Sequence, residues 1–406
     1  MATPASTLGF RDVLKTTAVR RLWIAQIVSV FGDFLAIFAI FSVVTFQLHG
    51  TPTQVGMVLV SFLTPLAIIS PLAGVYVDKW NLKATMIASD LIRALMILVL
   101  VFVRDLNVIY ATLFAMATVS AFFVPAQSVA VRTLAPPGGL MTVNALMTQA
   151  MQFAQIITPS ISGLLVDLVG ANTCFILDTA SFFISAGLVA SLTIRREAAP
   201  AAAAATSVLS SLMQGLRFIV THRTISFVLI SMGCGMFAVR CFGALLSVWV
   251  RDVLLSDAKL FGLLNTLIGI GMILGSQMVR RLAARVSPEH LVCYALAGMG
   301  AAVAITAVFG ELISAVIGML GLGFAAAFIM ITSQTLMQHE TPQELLGRVS
   351  SSMMSIMAVS QVLAMVFAGP VAERAGLRNL YYGSAVMLAV VAAVGLMQLR
   401  RRAVEG

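Results

Sequence analysis

The stretch from Leu22 to Leu48, LWIAQIVSVFGDFLAIFAIFSVVTFQL, decides the fold. It contains one charged side chain, Asp33, among residues that are otherwise mostly apolar. A helix of about 20 apolar residues crosses the hydrocarbon core of a bilayer, so this stretch predicts a transmembrane helix. The run is too long for the apolar region of a signal peptide, which predicts an uncleaved cytoplasmic tail ahead of it. That tail carries Arg11, Lys15, Arg20 and Arg21.

The composition of the whole chain extends this prediction. Of its 406 residues, 60% are hydrophobic and 10% are charged, and the mean hydropathy is +1.02. Soluble domains carry about 25% charged residues, and disordered chains are poor in apolar residues. The fold class is therefore predicted to be an all-α polytopic membrane protein. Eleven further apolar runs bring the predicted spans to twelve: 54–77, 84–103, 108–131, 141–169, 173–194, 225–250, 260–283, 289–309, 312–336, 348–372 and 379–399.

The 25 lysines and arginines predict the orientation of these spans. Two of them, Arg93 and Arg240, fall within spans. Another 18 fall in the tails and loops on the same side as the N-terminus, and cytoplasmic loops are the ones enriched in cations. We therefore expect both termini to be cytoplasmic. The five cations predicted outside are Arg104, Arg251, Lys259, Arg374 and Arg378.

The chain divides near its middle. Residues 195–224 open with Arg195-Arg196-Glu197, continue through an alanine run and end in a pattern typical of a short amphipathic helix on the inner surface. We predict a linker here between two six-helix bundles, residues 1–194 and 225–406. Similar residues recur about half a chain apart, which indicates a duplicated unit of the kind found in secondary transporters. The pairs are Gly56 with Gly262, Gln127 with Gln334, Pro136 with Pro342, and Pro159 with Pro370.

The loop between the second and third spans reads GVYVDKWNLK over residues 74–83. Gly74 permits close helix packing, and Asp78 can pair with a cation or cap a helix. With Lys79 and Lys83, these residues predict a latch that stabilises one conformation. The loop resembles the cytoplasmic signature of the major facilitator superfamily, Gly-x-x-x-Asp-Arg-x-Gly-Arg-Lys.

Four other segments resemble one branch of that family, the macrolide-efflux-like drug:proton antiporters. They are FVPAQ at 123–127, NAL at 144–146, LGRV at 346–349 and ASDLIR at 88–93. The resemblance implies a twelve-helix facilitator fold and export across the cytoplasmic membrane. It leaves the substrate open, because related branches export siderophores or move lysophospholipids.

Charged residues within spans are the candidate coupling sites, because a charge at bilayer depth costs at least about 2.5–3.5 kcal/mol. Asp33 lies about 16 Å into the first span and is interpreted as a proton carrier, or alternatively as a structural carboxyl. Asp178 is a second candidate for proton coupling. Arg240 is a candidate for the substrate cavity, either contacting an anionic substrate or pairing with Asp33, or else a structural residue.

Two further groups of residues complete the predicted site. Asp90 and Arg93 have the i,i+3 spacing of a helical ion pair and are expected to support the latch. The methionine cluster Met353, Met354 and Met357 is interpreted as packing or as the lining of a promiscuous apolar cavity.

Other function classes lack their motifs. None of the four lysines follows a glycine, so the chain has no phosphate loop and we expect no bound ATP. The four histidines form no HExxH motif and the four cysteines no CxxC motif, so we expect no metal, cofactor or catalytic site. The scattered cations do not suggest nucleic acid as a partner. We predict a secondary transporter whose partners are the bilayer, a small-molecule substrate and protons, most simply a proton-coupled exporter working by alternating access; a passive channel or scramblase remains the alternative.

Overall fold

The apolar runs form long helices in residues 8–77, 80–194, 217, 219–283 and 285–405, which the computed structural model describes. The first half contains α1 (Phe10–Lys15), α2 (Thr17–Ser42), α3 (Pro52–Val77), α4 (Leu82–Phe102), α5 (Leu106–Leu134), α6 (Leu140–Val169) and α7 (Ala171–Ala190). A π-helical turn, Val43–Gln47, extends α2. The second half contains α8 (Arg223–Asp252), α9 (Ala258–Ala283), α10 (Pro288–Phe309), α11 (Leu312–Glu340), α12 (Gln343–Ala375) and α13 (Leu377–Glu405). No strand occurs in these described ranges.

Eleven helices of the described part are long and apolar enough to cross a membrane. The first of them, α2 with its π-helical turn, covers all but the last residue of the stretch 22–48, from which the first transmembrane helix is predicted. The remaining predicted span, 348–372, lies within the 33-residue helix α12, where several side chains are outside the described set. The predicted fold class, an all-α polytopic membrane protein, is confirmed.

Polar side chains and glycines mark the points where one helix stops and the next begins. The Asn81 side chain accepts a hydrogen bond from the backbone N–H of Ala84 (3.1 Å) and begins α4. Asp105 begins α5 in the same way, because its carboxylate accepts from the backbone N–H groups of Asn107 and Val108. Gly170, at φ +86°, lies between α6 and α7 in a conformation that favours glycine.

These helix ends recur at a separation of 206 residues. Gly170 is matched by Gly376, at φ +89°, and His49 by Leu255, both at φ +49°. Asn81 and Ser287 precede α4 and α10, and Asp105 and Glu311 precede α5 and α11. The predicted pairs Gly56–Gly262 and Pro136–Pro342 share this separation.

The other two predicted pairs do not share it. Gln127 and Gln334 are one residue out of this register, and Pro159 and Pro370 are five residues out. The residue in register with Pro159 is Met365. Both prolines lie inside helices rather than at helix ends, so nothing in the backbone geometry requires them to be equivalent.

The chain forms two compact units, which we describe separately. The first comprises Met1–Gly50, Met57–Ala199 and Asp257–Leu263, and the second Thr51–Gly56, Pro200–Ser256 and Leu264–Gly406. The core of the first unit includes fully buried apolar side chains from several of its helices, among them Val19, Met86, Ala130, Val143 and Val189. Most of the predicted linker, residues 195–216 and 218, lies outside the described residues.

Each unit contains a close helix crossing built on two glycines. In the first unit, a Cβ at Gly262 of α9 would overlap the carbonyl oxygen of Pro159 in α6, and one at Gly163 of α6 would lie 2.6 Å from the carbonyl oxygen of Ala258. In the second unit, Gly56 and Gly369 take the positions of Gly262 and Gly163.

The second crossing uses the equivalent residues and is looser on the α3 side. A Cβ at Gly56 of α3 would lie 3.4 Å from the carbonyl oxygen of Met365, and one at Gly369 of α12 would lie 3.0 Å from that of Pro52. A hydrogen bond from the Thr53 backbone N–H to the Glu373 carboxylate (3.0 Å) also joins α3 to α12. Gly262, Gly163 and Gly369 admit no side chain unless the backbones separate, whereas the contact at Gly56 is an ordinary van der Waals distance.

Candidate functional site

A cluster of charged residues lies inside the first unit. Three helices supply it: Asp33 is on α2, Asp90 and Arg93 are on α4, and Asp178 is on α7. Three of the four residues are fully or almost fully buried, and Asp33 is partly exposed. The cluster therefore combines three carboxyl groups with one guanidinium.

Arg93 lies at the centre of the cluster. Its Nη2 is 2.5 Å from Oδ1 of Asp90, and its Nη1 is 3.7 Å from Oδ2 of Asp33. Its guanidinium lies over the rings of both Phe123 and Phe182, at 4.6 and 4.4 Å from their centroids. Aromatic faces attract a desolvated cation, so these two rings offset part of the cost of burying Arg93.

Asp90 has a complete set of partners. Its side chain is 0% exposed, and besides the Arg93 contact its Oδ2 accepts a hydrogen bond from the Ser185 hydroxyl (2.7 Å). The predicted helical pair of Asp90 and Arg93 is thus present in the structure. A buried carboxylate needs such partners, because removing one partner of a buried ion pair costs about 3–5 kcal/mol.

Asp178 lacks a partner of this quality. It is fully buried, its Oδ1 accepts one hydrogen bond from the Ser181 hydroxyl (3.2 Å), and its Oδ2 has no hydrogen-bond partner among the described residues. Gly32 of α2 packs directly against it, since a Cβ there would overlap Asp178 and Ser181. A buried carboxyl oxygen without a hydrogen-bond partner is costly, so Asp178 is less well satisfied than Asp90.

Asp33 forms the accessible edge of the cluster. Its side chain is 37% exposed, whereas that of Arg93 is 4% exposed. Two turns earlier on α2, Gln26 accepts a hydrogen bond from Gln127 of α5, and both side chains are half-buried. Of these partly accessible polar side chains of α2, Asp33 is the one that can exchange a proton with water.

The remaining predicted site residues lie elsewhere. Arg240 belongs to α8 in the second unit, is exposed, and forms no ion pair among the described residues. The cation within 4 Å of Asp33 is Arg93, so the structure gives this carboxyl a counter-ion other than the predicted Arg240. Met353 is buried in α12 and Met357 is half-buried.

The predicted latch is described only in part. Lys83 is half-buried in the first turn of α4, and Gly74 is in α3. Asp78 and Lys79 lie outside the described residues, as does the side chain of Met354.

Sequence reasoning missed four contributors to the cluster. Gly32, Ser181, Ser185 and Phe182 were not predicted, although Ser181 and Ser185 follow Asp178 by three and seven residues and so lie on its helix face. No group of three or more histidine, cysteine, aspartate or glutamate side chains in the described part is arranged to hold a metal ion.

Comparisons with known proteins agree on one family. A family model described as the Major Facilitator Superfamily matches residues 22–364. The multidrug efflux pump Tap of Mycolicibacterium fortuitum is 26% identical, over 87% of this chain and 90% of its own length. Macrolide efflux protein A of Streptococcus pyogenes is 22% identical, over 92% and 94%, and the MFS-type transporter YfiS of Bacillus subtilis (strain 168) is 24% identical, over 92% and 91%.

Solved structures show the same fold. The nucleoside transporter NupG superposes with a TM-score of 0.76 at 14% identity, over 94% of this chain and 99% of that one. A bacterial homologue of the human lysosomal transporter Spinster, in its inward-facing and occupied conformation, superposes with a TM-score of 0.75 at 12% identity, over 95% and 97%.

Proposed function

The chain belongs to the Major Facilitator Superfamily of membrane transporters, and from this premise we propose that it exports amphipathic small molecules in exchange for protons by alternating access. The charged cluster is the proton-coupling site in this proposal. Asp33 exchanges protons with water, and Asp178 is the second coupling carboxyl. The relatives named for macrolide and multidrug efflux support this class of substrate.

The observation that carries the proposal is the excess of carboxyl groups in the cluster. Arg93 and Asp90 form a tight pair, so their charges cancel locally. Asp33 shares the same Arg93 at the longer distance of 3.7 Å, and Asp178 forms no ion pair among the described residues, so neither of these two carboxyl groups has a cation to itself. Leaving both ionised would place two uncompensated negative charges there, which is costly. At least one bound proton relieves that cost, and the partial exposure of Asp33 provides its route to water.

The other predicted residues keep supporting roles in this proposal. Arg240 and the methionines Met353, Met354 and Met357 line the substrate cavity, where flexible thioether side chains suit varied apolar ligands. Gly74, Asp78, Lys79 and Lys83 form the latch. Because 18 of the 25 cations fall on the side of the N-terminus, we place the protein in the cytoplasmic membrane with both termini inside.

The test is transport in inverted membrane vesicles with a panel of macrolides, other amphipathic cations, siderophores and lysophospholipids, with and without a proton gradient. We expect accumulation of amphipathic compounds that stops when the gradient is dissipated. Asp33→Asn should abolish gradient-driven accumulation and spare exchange of substrate for substrate, because exchange moves no net proton.

Asp167→Asn is the matched control for this experiment. It makes the same chemical change at an exposed carboxyl near the end of α6, and we expect it to leave gradient-driven transport intact. Full gradient-driven transport by Asp33→Asn would contradict the assignment of Asp33. Downhill flux that ignores the gradient in the unsubstituted protein would instead favour a passive channel or scramblase.

A further inference from the structure

The single guanidinium of the cluster faces two carboxyl groups on two different helices. Building on the proposed proton coupling, we infer that Arg93 is a positioning residue that links the protonation of Asp33 on α2 to the ion pair with Asp90 on α4. Loss of the proton from Asp33 then draws Arg93 toward α2 and loosens its contact with Asp90. Binding of the proton returns Arg93 to Asp90.

The two contacts of Arg93 differ in kind. Nη2 donates a charge-assisted hydrogen bond to Asp90, whereas the Nη1–Asp33 distance of 3.7 Å is outside hydrogen-bond range. The guanidinium is a rigid planar fork, so its two nitrogens move together. A shift that brings Nη1 within hydrogen-bond distance of Asp33 therefore changes the contact of Nη2 with Asp90.

The surroundings of Arg93 favour this particular movement. The rings of Phe123 and Phe182 lie over its guanidinium at similar distances. Contacts with ring faces are less directional than hydrogen bonds, so a small shift of the guanidinium between Asp90 and Asp33 can keep both ring contacts. The backbone carbonyl of Ser89 accepts a bond from its Nε (3.3 Å) and anchors the base of the side chain to α4.

Asp90 retains a partner when Arg93 moves. The Ser185 hydroxyl of α7 donates to the other carboxylate oxygen, Oδ2, at 2.7 Å. This second donor keeps Asp90 from being left without a hydrogen bond, so the loosened arrangement is accessible. The same bond connects the shift to α7, which also carries Asp178.

The charged groups that act on Asp33 belong to two helices. Arg93 and Asp90 act on Asp33 from α4, and Asp178 acts on Asp33 from α7. The Gln26–Gln127 pair between α2 and α5 is uncharged. Removing the charge of Arg93 and removing that of Asp90 should therefore shift the titration midpoint of Asp33 in opposite directions. A purely structural role of Arg93 does not predict this.

The experiment is an infrared pH titration of the purified protein in liposomes. It follows the C=O band of protonated carboxyl groups and assigns the Asp33 component by subtracting the Asp33→Asn spectrum in each background. We expect Asp90→Asn to lower the titration midpoint of Asp33, because Arg93 then has no other carboxylate. We expect Arg93→Gln to raise it by about 1–3 pH units, the usual effect of a neighbouring arginine.

Further variants keep the test decisive if Arg93→Gln does not fold. The double variant Arg93→Gln/Asp90→Asn removes both members of the tight buried pair, so neither is left charged without the other, and its midpoint should also lie above that of the unsubstituted protein because Asp33 loses its cation within 4 Å. Arg93→Lys retains the cation and should restore most of the normal midpoint. Arg104→Gln is the matched control, because that guanidinium stacks on Phe175 and bonds to Asn172 away from the cluster, so the midpoint should not move.

The outcomes separate this inference from the proposed function. If Asp90→Asn and the double variant leave the Asp33 midpoint unchanged, or if no Asp33 band titrates, the link through Arg93 is overturned. If the midpoints shift as expected but vesicle transport ignores the proton gradient, the proposed proton coupling is wrong while the link through Arg93 stands.

Discussion

Gly32 shows at the scale of one residue how closely the cluster is packed. The absence of a side chain lets α2 reach Asp178 and Ser181 of α7, where an added Cβ would overlap both. We predict that Gly32→Ala displaces Asp178, which would slow transport by at least tenfold and lower stability by about 1–3 kcal/mol, the usual cost of overpacking. Vesicle transport and thermal unfolding in detergent measure the two effects.

The control for this prediction is Gly187→Ala, farther along α7. An added Cβ at Gly187 has no atom within 4 Å, and alanine is favoured over glycine inside a helix by about 0.5–1 kcal/mol. Gly187→Ala should therefore preserve transport and slightly raise stability. Equal behaviour of the two variants would show that the contact of Gly32 with Asp178 has no role.

The sequence predicted part of the cluster, and the reason is specific to each residue. Asp33 and Asp178 stand out because a charge within an apolar run is costly, and the Asp90–Arg93 spacing indicates a pair on one helix. The reach of Arg93 to Asp33 depends on how α4 packs beside α2, which no spacing along the chain reveals. Gly32 and Ser185 were missed for the same reason, since their contacts cross between helices.

At the scale of helices, the glycine crossings give the next prediction. Gly262→Ala would place a Cβ onto the carbonyl oxygen of Pro159, and Gly163→Ala would place one 2.6 Å from that of Ala258. Each change should force the start of α9 away from α6 and cost about 1–3 kcal/mol. Gly369→Ala should do the same to α3 and α12, because Gly369 occupies the position of Gly163 in the second crossing.

Thermal unfolding and transport by the three variants test this equivalence. Gly243→Ala in α8 is the control, because a Cβ there meets no atom within 4 Å, and it should be neutral or stabilising. If Gly262→Ala and Gly369→Ala behave like the control, the crossings tolerate separation and glycine is not required at these positions.

The helices themselves were largely predictable, since hydropathy over 20 or more residues reports insertion into lipid. Their repeat was predictable only in part. Glycine is required at Gly262, where α9 crosses α6, and Gly56 holds the equivalent place in the looser crossing of α3 with α12. Pro159 in α6 and Pro370 in α12 do not hold equivalent places, since a proline inside a helix can occur at more than one position along it.

At the scale of the whole molecule, the distribution of cations predicts which loops face each side of the membrane. The natural cysteines, Cys174, Cys234, Cys241 and Cys293, are free thiols, so a cysteine-free background can be made by replacing four residues. Single cysteines can then be placed at exposed cations near helix ends. Lys259 and Arg374 are predicted outside, and Arg132 and Arg285 inside; all four are exposed in the structure.

We expect a membrane-impermeant maleimide to label Lys259→Cys and Arg374→Cys in intact cells. Arg132→Cys and Arg285→Cys should react only after the cells are made permeable. Each variant removes one positive charge, and neither removal at an outer site nor removal at an inner site reverses the excess of cations on the predicted inner side. The reverse labelling pattern would place both termini outside. Labelling of only one predicted outer site in intact cells would instead contradict the predicted spans, because Lys259 lies in the first turn of α9 and Arg374 in the last turn of α12, so that four helices, α9 to α12, separate the two sites.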